Sequence, residues 1–187
     1  MLFRSNDFEV AVIGINLTNT IPNRTVTGNQ VFSLSNTHGT YAGFVIGIYY
    51  RGATTGVNVV NRNFIHSLTA TSATGSLVGI LASNGNTTYS NNIIALGNVT
   101  NNVVYGFYDV NDVGQTCNLY FNTIFIGGAT AGNNSSFALF TGLASGTRNY
   151  RNNVLHNVRT RSSGTGLHTA INYATAGVSN LTVNFNT

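Results

Sequence analysis

Short segments of alternating hydrophobic and polar residues run along the whole chain. Each covers about 5 to 8 residues, is rich in β-branched and aromatic side chains, and is bounded by Gly, Asn, Thr and Ser. This pattern is typical of strands separated by turns. Helical apolar stripes and heptads are absent from the sequence, and its one proline is Pro22. The pattern therefore predicts an all-β protein and excludes helical repeat arrays.

One short phrase recurs along the chain with an asparagine in a fixed place. It reads VTGNQV, VNRNFI, YSNNII, YFNTIF, YRNNVL and VNFNT. The asparagines of this phrase, at separations of 34, 29, 30, 31 and 33 residues, are Asn29, Asn63, Asn92, Asn122, Asn153 and Asn186. A period of about 30 residues in a β-rich sequence predicts a β-solenoid with one coil per repeat.

Hydrophobic residues recur at fixed distances from these asparagines. An apolar residue stands three positions before each asparagine, and another stands two positions after each of the first five. A separate column of small residues, each followed at once by a large apolar one, consists of Gly14, Gly47, Gly79, Gly106, Ala138 and Ala170. We expect the asparagine-flanking apolar residues and the large apolar residues that follow the small ones to face inward, with two strands of each repeat aligned in register.

The asparagines themselves are expected at an inward corner of each coil. In stacked parallel strands each residue lies about 4.8 Å above its counterpart in the coil below, so stacked amides can hydrogen-bond with one another. A lone buried asparagine costs about 1–3 kcal/mol, so the arrangement makes sense only if every coil repeats it. The repeat therefore predicts an amide ladder, and asparagines in exposed turns are the alternative interpretation.

The composition narrows the class of protein. Only 6% of residues are charged, against roughly 25% in ordinary soluble domains. The net charge of +4 comes from dispersed arginines, because the sequence has no lysine, and this disfavours nucleic-acid binding. No run of about 20 apolar residues is present to span a bilayer. The single Cys117 cannot form an internal disulfide and is expected to be a buried, inert thiol.

The corner Y-x-N-N-x-[IV] and the strand G-[IFL] resemble the right-handed parallel β-helix proteins of the pectin-lyase-like group. The likeness covers the chain from Phe8 to Thr187. The phrases FNTIFIGGATAG, ASGTRNYRNNVLHNVR and GTGLHTAI are similar to repeats in large secreted or cell-surface proteins of environmental bacteria, often exported by the type IX route. The resemblance implies a right-handed parallel β-helix of about six coils in a secreted or cell-surface protein.

The domain organisation is expected to be simple. Residues 6–187 are interpreted as a single β-helix domain, and residues 1–5 as a non-native leader, because LFRS resembles a translated sequencing adapter. The opening residues do not form a signal peptide. Neither end resembles a polar cap, and VNFNT stops halfway through a repeat. We therefore expect an uncapped fragment of a longer protein, with neighbouring coils of the same chain as one partner.

Candidate catalytic chemistry is scarce. Glycan-cleaving β-helices generally need carboxylates, as acid and base or as calcium ligands, and the chain has four acidic residues. Asp109 and Asp112 lie on one predicted loop, where they are a candidate weak calcium site or ordinary solvated turn residues. With Arg151 they are also the candidate catalytic residues. His66 and His156 are expected on the surface about three coils apart, too far to share a metal.

Two groups of residues are candidates for ligand binding. Four arginines belong to the coil around Asn153 and suit a sulfated or uronic-acid glycan or a phosphate; otherwise they are solvated surface. Three aromatic residues stand in an outward column and suit sugar rings or a neighbouring protein, unless loops cover them. The candidate residues are Arg148, Arg151, Arg159 and Arg161, and Tyr49, Tyr108 and Phe140.

The sequence favours a structural or adhesive β-helical segment of an extracellular or cell-surface bacterial protein. It would present a polar, Asn- and Thr-rich face to polysaccharide or another cell-surface glycan, to other surfaces or to sister chains. The alternative is a carbohydrate-active enzyme, a polysaccharide lyase or hydrolase, with its site partly outside this segment. The scarcity of carboxylates weighs against the enzyme.

Overall fold

The chain is a parallel β-solenoid, as the repeat predicted. The computed structural model describes residues 4–5, 11–98, 100–111, 114–142, 145–174 and 180–187. In this part of the chain there are 22 short strands and no helix, and the strands pair in parallel. The described residues thus contain no helix of the length and apolarity needed to cross a membrane.

Three sheets run along the stack of coils. Sheet 1 contains β2 (Val12–Leu17), β6 (Phe44–Arg51), β10 (Ser76–Asn84), β13 (Val103–Asp109), β17 (Ser136–Thr141) and β21 (His168–Tyr173). Sheet 2 contains β3 (Thr25–Thr27), β7 (Asn58–Asn61), β11 (Thr87–Ser90), β14 (Thr116–Tyr120), β18 (Thr147–Arg151) and β22 (Leu181–Asn184). Sheet 3 contains β4 (Gln30–Phe32), β8 (Phe64–His66), β12 (Ile93–Leu96), β15 (Thr123–Ile126) and β19 (Val154–Asn157).

Two smaller sheets complete the coils. One consists of β1 (Arg4–Ser5), β5 (Ser35–Asn36) and β9 (Thr69–Ala70), and the other of β16 (Ala129–Ala131) and β20 (Thr160–Ser163). The backbone of Arg4 and Ser5, in the expected leader, pairs with Ser35 and Asn36.

Each coil passes from sheet 1 to sheet 2 and then to sheet 3. The six strands of sheets 1 and 2 correspond to the expected number of coils and are separated by five full turns. The sequence predicted two aligned strands in each repeat, and the structure has three. The difference arises because the residues after each of the first five ladder asparagines form a separate strand, which belongs to sheet 3.

The inward columns are in register, as the repeat predicted. The column three residues before the asparagines pairs strand by strand along sheet 2 and consists of Val26, Val60, Tyr89, Leu119, Tyr150 and Val183. The column after the small residues pairs along sheet 1 and consists of Ile15, Ile48, Ile80, Phe107, Leu139 and Ile171. Both columns belong to the single apolar core between the three sheets or pack against it, apart from the terminal Val183.

The small residues allow sheets 1 and 3 to approach each other. A Cβ on Gly47 would contact Ile65 and lie 2.6 Å from the carbonyl oxygen of Gly79 in the next coil. A Cβ on Gly106 would contact Ile124 and lie 2.6 Å from the carbonyl oxygen of Ala138. Large side chains in this column would therefore force the coils apart, which explains why only glycine and alanine occur there.

The six asparagines form a continuous amide ladder at the turn between sheets 2 and 3. In the first five coils, Nδ2 donates to the Oδ1 of the asparagine in the next coil at 2.9–3.0 Å. The same Oδ1 also accepts the backbone N–H of the preceding asparagine at 2.9–3.1 Å. From the second coil onward, Nδ2 also donates to a backbone carbonyl of the coil below at 2.8–3.0 Å. Each inner amide thus makes four hydrogen bonds, so its burial leaves none of its polar groups unpaired.

The residue before each ladder asparagine adopts a left-handed backbone conformation that turns the chain into sheet 3. Its φ lies between 52° and 68° in all six coils, at Gly28, Arg62, Asn91, Phe121, Asn152 and Phe185. Glycine and asparagine adopt this conformation readily, whereas a bulky residue is strained there. Phe121 is 59% exposed, so its side chain gains little burial in return.

We predict that Asn122→Ala lowers the free energy of unfolding by about 3 kcal/mol or more, because the buried N–H of Asn92 loses its acceptor, at about 1–3 kcal/mol, and three neighbouring groups each lose one hydrogen bond. Those three groups are the Nδ2 of Asn92, the Oδ1 of Asn153 and the carbonyl of Tyr89. Urea unfolding measures the change. Asn149→Ala, which removes a partly buried amide hydrogen-bonded to Asn118, is the control and should cost about 0.5 kcal/mol or less. Equal losses in the two variants would contradict a structural role for the ladder.

We also predict that Phe121→Asn raises the free energy of unfolding by about 1 kcal/mol, because asparagine relieves the left-handed strain. Phe125→Asn is the matched control, since Phe125 is 40% exposed but lies in strand β15 with no left-handed conformation. This control should be neutral or destabilising. A loss of stability in Phe121→Asn equal to that in Phe125→Asn would show that the turn is not strained.

Candidate binding face

The outward side of sheet 2 is polar. Asn149 donates to Asn118 at 2.8 Å, and Asn118 donates to Thr88 at 3.2 Å, so amides and hydroxyls also connect coils on the surface. Tyr120 lies on the same face and donates its hydroxyl proton to Asn118 Oδ1 at 3.1 Å. This face presents uncharged hydrogen-bonding groups over most of its length, with Arg151 as an exposed exception.

The outward side of sheet 1 is apolar and aromatic. Ile46, Val78 and Leu81 form a buried floor on this side, and Tyr49, Tyr105 and Tyr108 pack against it half-buried. The predicted Tyr49, Tyr108 and Phe140 do lie in one column of this face, with Leu81 between Tyr49 and Tyr108. We call the set Tyr49, Tyr105, Tyr108, Phe137 and Phe140 the aromatic face.

Four rings of the aromatic face contact one another within and across coils. Tyr105 stacks on Tyr108 with ring centroids 4.4 Å apart, and Phe137 lies 5.5 Å from Tyr105. Phe140 meets Tyr105 and Tyr108 edge-on at 5.3 and 5.2 Å. Burial raises the pKa of Tyr105 and Tyr108 above the ordinary value, so both hydroxyls stay neutral hydrogen-bonding groups near pH 7.

Sequence reasoning missed Tyr105 and Phe137. They stand immediately before the small-residue column, at the position occupied by Ile13, Ile46 and Val78 in earlier coils. Simple alternation counted back from the inward Phe107 and Leu139 would place Tyr105 and Phe137 inward. They face outward because the intervening Gly106 and Ala138 also point into the core, which interrupts the alternation. The sequence pattern alone does not show this interruption.

Sheet 3 carries a second exposed set of hydrophobic side chains. Its outward members include Phe32, Phe64, Ile93, Phe125 and Val154, all exposed. His66 lies between Phe32 and Phe64, with ring centroids 5.3 and 4.4 Å away. His156 contacts Phe125 at 5.6 Å in a separate part of the face. The described residues contain no group of three or more His, Cys, Asp or Glu side chains that could hold a metal ion.

The four candidate arginines do not form a surface cluster. Arg148 is fully buried, and Arg159 is buried with Nη1 donating to the carbonyl of Asn102 at 2.9 Å. Arg151 and Arg161 are exposed, and Arg161 donates to the carbonyl of Gly166. The prediction that Arg148 and Arg159 bind a glycan was wrong, because both guanidinium groups are buried. Arg148 pairs with a carboxylate and Arg159 donates to a backbone carbonyl.

Asp109 is the partner of Arg148. Arg148 Nε lies 2.5 Å from Asp109 Oδ2, and both side chains are 0% exposed. Oδ2 also accepts the Tyr150 hydroxyl proton at 2.7 Å, and Oδ1 accepts the Asn111 N–H at 3.0 Å. Asp109 faces inward and is saturated with partners, so it is neither a solvated turn residue nor available to substrate or calcium. Asp112, the second acid of both the catalytic and the calcium predictions, lies outside the described residues.

Cys117 lies beside this ion pair. It is a free, fully buried thiol. Burial raises its pKa well above the ordinary value, and the neighbouring Asp109 carboxylate raises it further. The thiol is therefore protonated near neutral pH, which fits an inert side chain.

The interior becomes polar towards the last coil. The Ser136 hydroxyl lies 2.8 Å from His168 Nδ1 and 3.0 Å from Asn157 Nδ2. Burial lowers the pKa of His168, with further lowering from Arg159 and Arg161, so the imidazole is neutral at pH 7. Ser136 is fully buried, which keeps its hydroxyl from reaching a substrate.

Comparisons of this chain with protein-family models, curated proteins and solved structures yield no match. The parallel β-solenoid is compatible with a β-helix repeat. What the chain does must be inferred from its own surfaces.

We predict that Asp109→Asn lowers the free energy of unfolding by about 3–5 kcal/mol, because Arg148 becomes an unpaired buried charge. The asparagine is nearly the same size as the aspartate and retains an oxygen that can accept from Tyr150 or Asn111. The double variant Asp109→Asn with Arg148→Met removes both charges and should recover most of the loss. Chemical denaturation of the three proteins measures these changes. Additive losses in the double variant would contradict a coupled ion pair.

Proposed function

We propose that this chain is a rigid, structural or adhesive solenoid segment that binds neutral polysaccharide through its aromatic face. The observation that carries the proposal is the ring cluster on the outside of sheet 1, where no described strand pairs or packs over it. Tyr49, Tyr105, Tyr108 and Phe140 are half-buried and Phe137 is 7% exposed, and a contiguous cluster of aromatic rings on a rigid surface suits an interaction site.

The chemistry of the face favours a neutral ligand. The two outward columns around the rings contain only uncharged residues, from Ile13 and Asn16 in the first coil to Thr169 and Asn172 in the last. Stacking on the apolar faces of sugar rings uses the aromatic surface, while the tyrosine hydroxyls and the flanking amides can hydrogen-bond sugar hydroxyls. Arg51, exposed two residues after Tyr49 at the end of β6, is the only Arg or Lys in the described strands of sheet 1, so an acidic glycan would find little positive charge beside the rings.

The rigid rod also suits a protein that presents its aromatic face to an extended polymer. Parallel strands rise about 4.8 Å per coil, so the rings of Tyr49 and Phe140, three coils apart, span about 14 Å along the rod axis. An extended polymer lying along this axis would meet several rings at once. The resemblance of the repeats to secreted or cell-surface bacterial proteins of the right-handed, pectin-lyase-like kind supports an extracellular location, and export by the type IX route belongs to the same proposal.

An enzymatic function receives less support. Asp109, the only acidic side chain among the described residues, is buried against Arg148. Arg151 is exposed on sheet 2, on a different face of the solenoid from the aromatic cluster. The described residues therefore present no paired carboxylates to a glycan.

We predict that the protein binds one or more of hydroxyethyl cellulose, xylan and mixed-linkage glucan in affinity electrophoresis. Tyr108→Ala combined with Phe140→Ala should weaken binding about 30-fold, from about 1 kcal/mol for each ring. Tyr120→Ala, a tyrosine on the polar face of sheet 2, is the matched control and should leave binding unchanged.

Two results would contradict the proposal. Equal binding by wild type and the double variant would show that the binding site is not the aromatic face. New reducing ends or unsaturated products after incubation with pectin, alginate or the neutral polymers would establish the enzyme instead.

A further inference from the structure

The sequence contains one Asn-Gly dipeptide, Asn84–Gly85, which lies at the end of strand β10. The strand is bulged here, because its pairing with β6 shifts register between Ala82 and Asn84. Its pairing with β13, on the other side, already ends at Ala82. Asn84 is therefore paired with a neighbouring strand on one side only.

The side chain of Asn84 contacts the backbone nitrogen of the residue that follows it. Gly85 N lies 2.7 Å from Asn84 Oδ1, so the carbon that carries this oxygen, Cγ, lies next to the same nitrogen. The Gly85 N–H donates to no backbone carbonyl of the described residues, so no hydrogen bond between coils has to break before this nitrogen reacts. Two groups that are held in contact react much faster than two groups that must first meet.

Glycine leaves this nitrogen open to reaction. Gly85 has a φ of 101°, a conformation that residues with a side chain rarely adopt, and a Cβ there would lie 2.8 Å from the carbonyl oxygen of Ala53. The turn therefore requires a residue without a side chain, and no side chain shields the amide nitrogen from Cγ of Asn84. Asn84 itself is half-buried, so water reaches its side chain.

We propose that Asn84 is a site of spontaneous deamidation in the folded protein. Gly85 N forms a bond to Asn84 Cγ and gives up its proton to Nδ2, the Cγ–Nδ2 bond breaks, and ammonia leaves a cyclic succinimide. Water then opens the ring. Cleavage between Cγ and the nitrogen gives aspartate, and cleavage between the former backbone carbonyl carbon and the nitrogen gives isoaspartate. Water is the only co-reactant, and the aromatic face has no part in the reaction.

Both products place a carboxylate beside Arg51, the register partner of Asn84 in β6. The isoaspartate also lengthens the backbone by one carbon and converts the former backbone carbonyl of Asn84 into the free carboxylate. That carbonyl accepts the N–H of Gly52 at 3.0 Å in the coil below. Isoaspartate therefore disturbs the contact between the second and third coils, whereas aspartate leaves the backbone unchanged.

Peptide mapping by mass spectrometry tests the proposal on protein aged in mildly alkaline buffer, with unaged protein digested in parallel as the background. Cleavage by chymotrypsin after Leu81 and Tyr89 releases residues 82–89, which contain Asn84 and also Asn86. We expect Asn84 to gain about 1 Da and to give two separable products, aspartate and isoaspartate.

Asn86 is the internal control in the same peptide. It precedes the β-branched Thr87, and its Oδ1 accepts the N–H of Thr116 in the next coil at 2.7 Å. Asn84 should convert at least about tenfold faster than Asn86, because only Asn84 has its side chain against the following backbone nitrogen. The variant Asn84→Gln, which keeps an amide but would need a larger ring, should show no conversion at position 84.

The stability of the products provides a second readout. Asn84→Asp should unfold at the same urea concentration as wild type, whereas the aged fraction enriched in isoaspartate should unfold at a lower concentration. Equal midpoints for the two products would contradict the predicted disturbance between the second and third coils.

The same ageing experiment in urea separates the folded state from the unfolded chain. Asn84 in the folded protein should convert within about tenfold of its rate in urea, because the contact with Gly85 N compensates for the lost flexibility. A slower rate in the folded protein would show that the fold protects the site and would overturn the proposal. Conversion of Asn84 no faster than that of Asn86 would also overturn it.

Discussion

The coils of this protein stack directly on one another, so each residue must be compatible with its counterparts about 4.8 Å above and below. The amide ladder satisfies this requirement most completely. An asparagine side chain has two donors and an acceptor with two lone pairs, so identical asparagines in a column can bond to one another without any other residue type. The sharp turn into sheet 3 therefore carries buried polar groups at little cost, and the apolar columns on either side are held in register.

The same requirement explains the composition. Like charges in adjacent coils would repel each other at about 5 Å, by about 1 kcal/mol in water and by more near the protein surface. Arginines that pair across described strands lie beside uncharged residues; Arg151, for example, lies between Tyr120 and Asn184. The buried charge pair among the described residues joins Asp109 of sheet 1 to Arg148 of sheet 2 across the interior. Low charge and abundant Asn, Thr and Ser are thus explained for the chain as a whole by the stacking.

The sequence was sufficient for features that repeat, and insufficient for features that occur once. The ladder, the inward columns and the outward position of Tyr49, Tyr108 and Phe140 follow from periodicity, because stacking converts sequence period into spatial neighbours. The buried pair of Asp109 and Arg148 has no counterpart in other coils, so no period could reveal that both residues face inward. The third strand of each coil was hidden because its three or four residues follow the left-handed turn directly, without a spacer.

Side-chain amide exchange measured by NMR on ¹⁵N-labelled protein tests the ladder most directly. The Nδ2 protons of Asn63, Asn92, Asn122 and Asn153 should exchange with solvent orders of magnitude more slowly than those of exposed asparagines such as Asn184, because each is buried and donates two hydrogen bonds. Exchange of these protons at the rate of a free amide would show that the asparagines are not stacked. That result would contradict both the amide ladder and the solenoid.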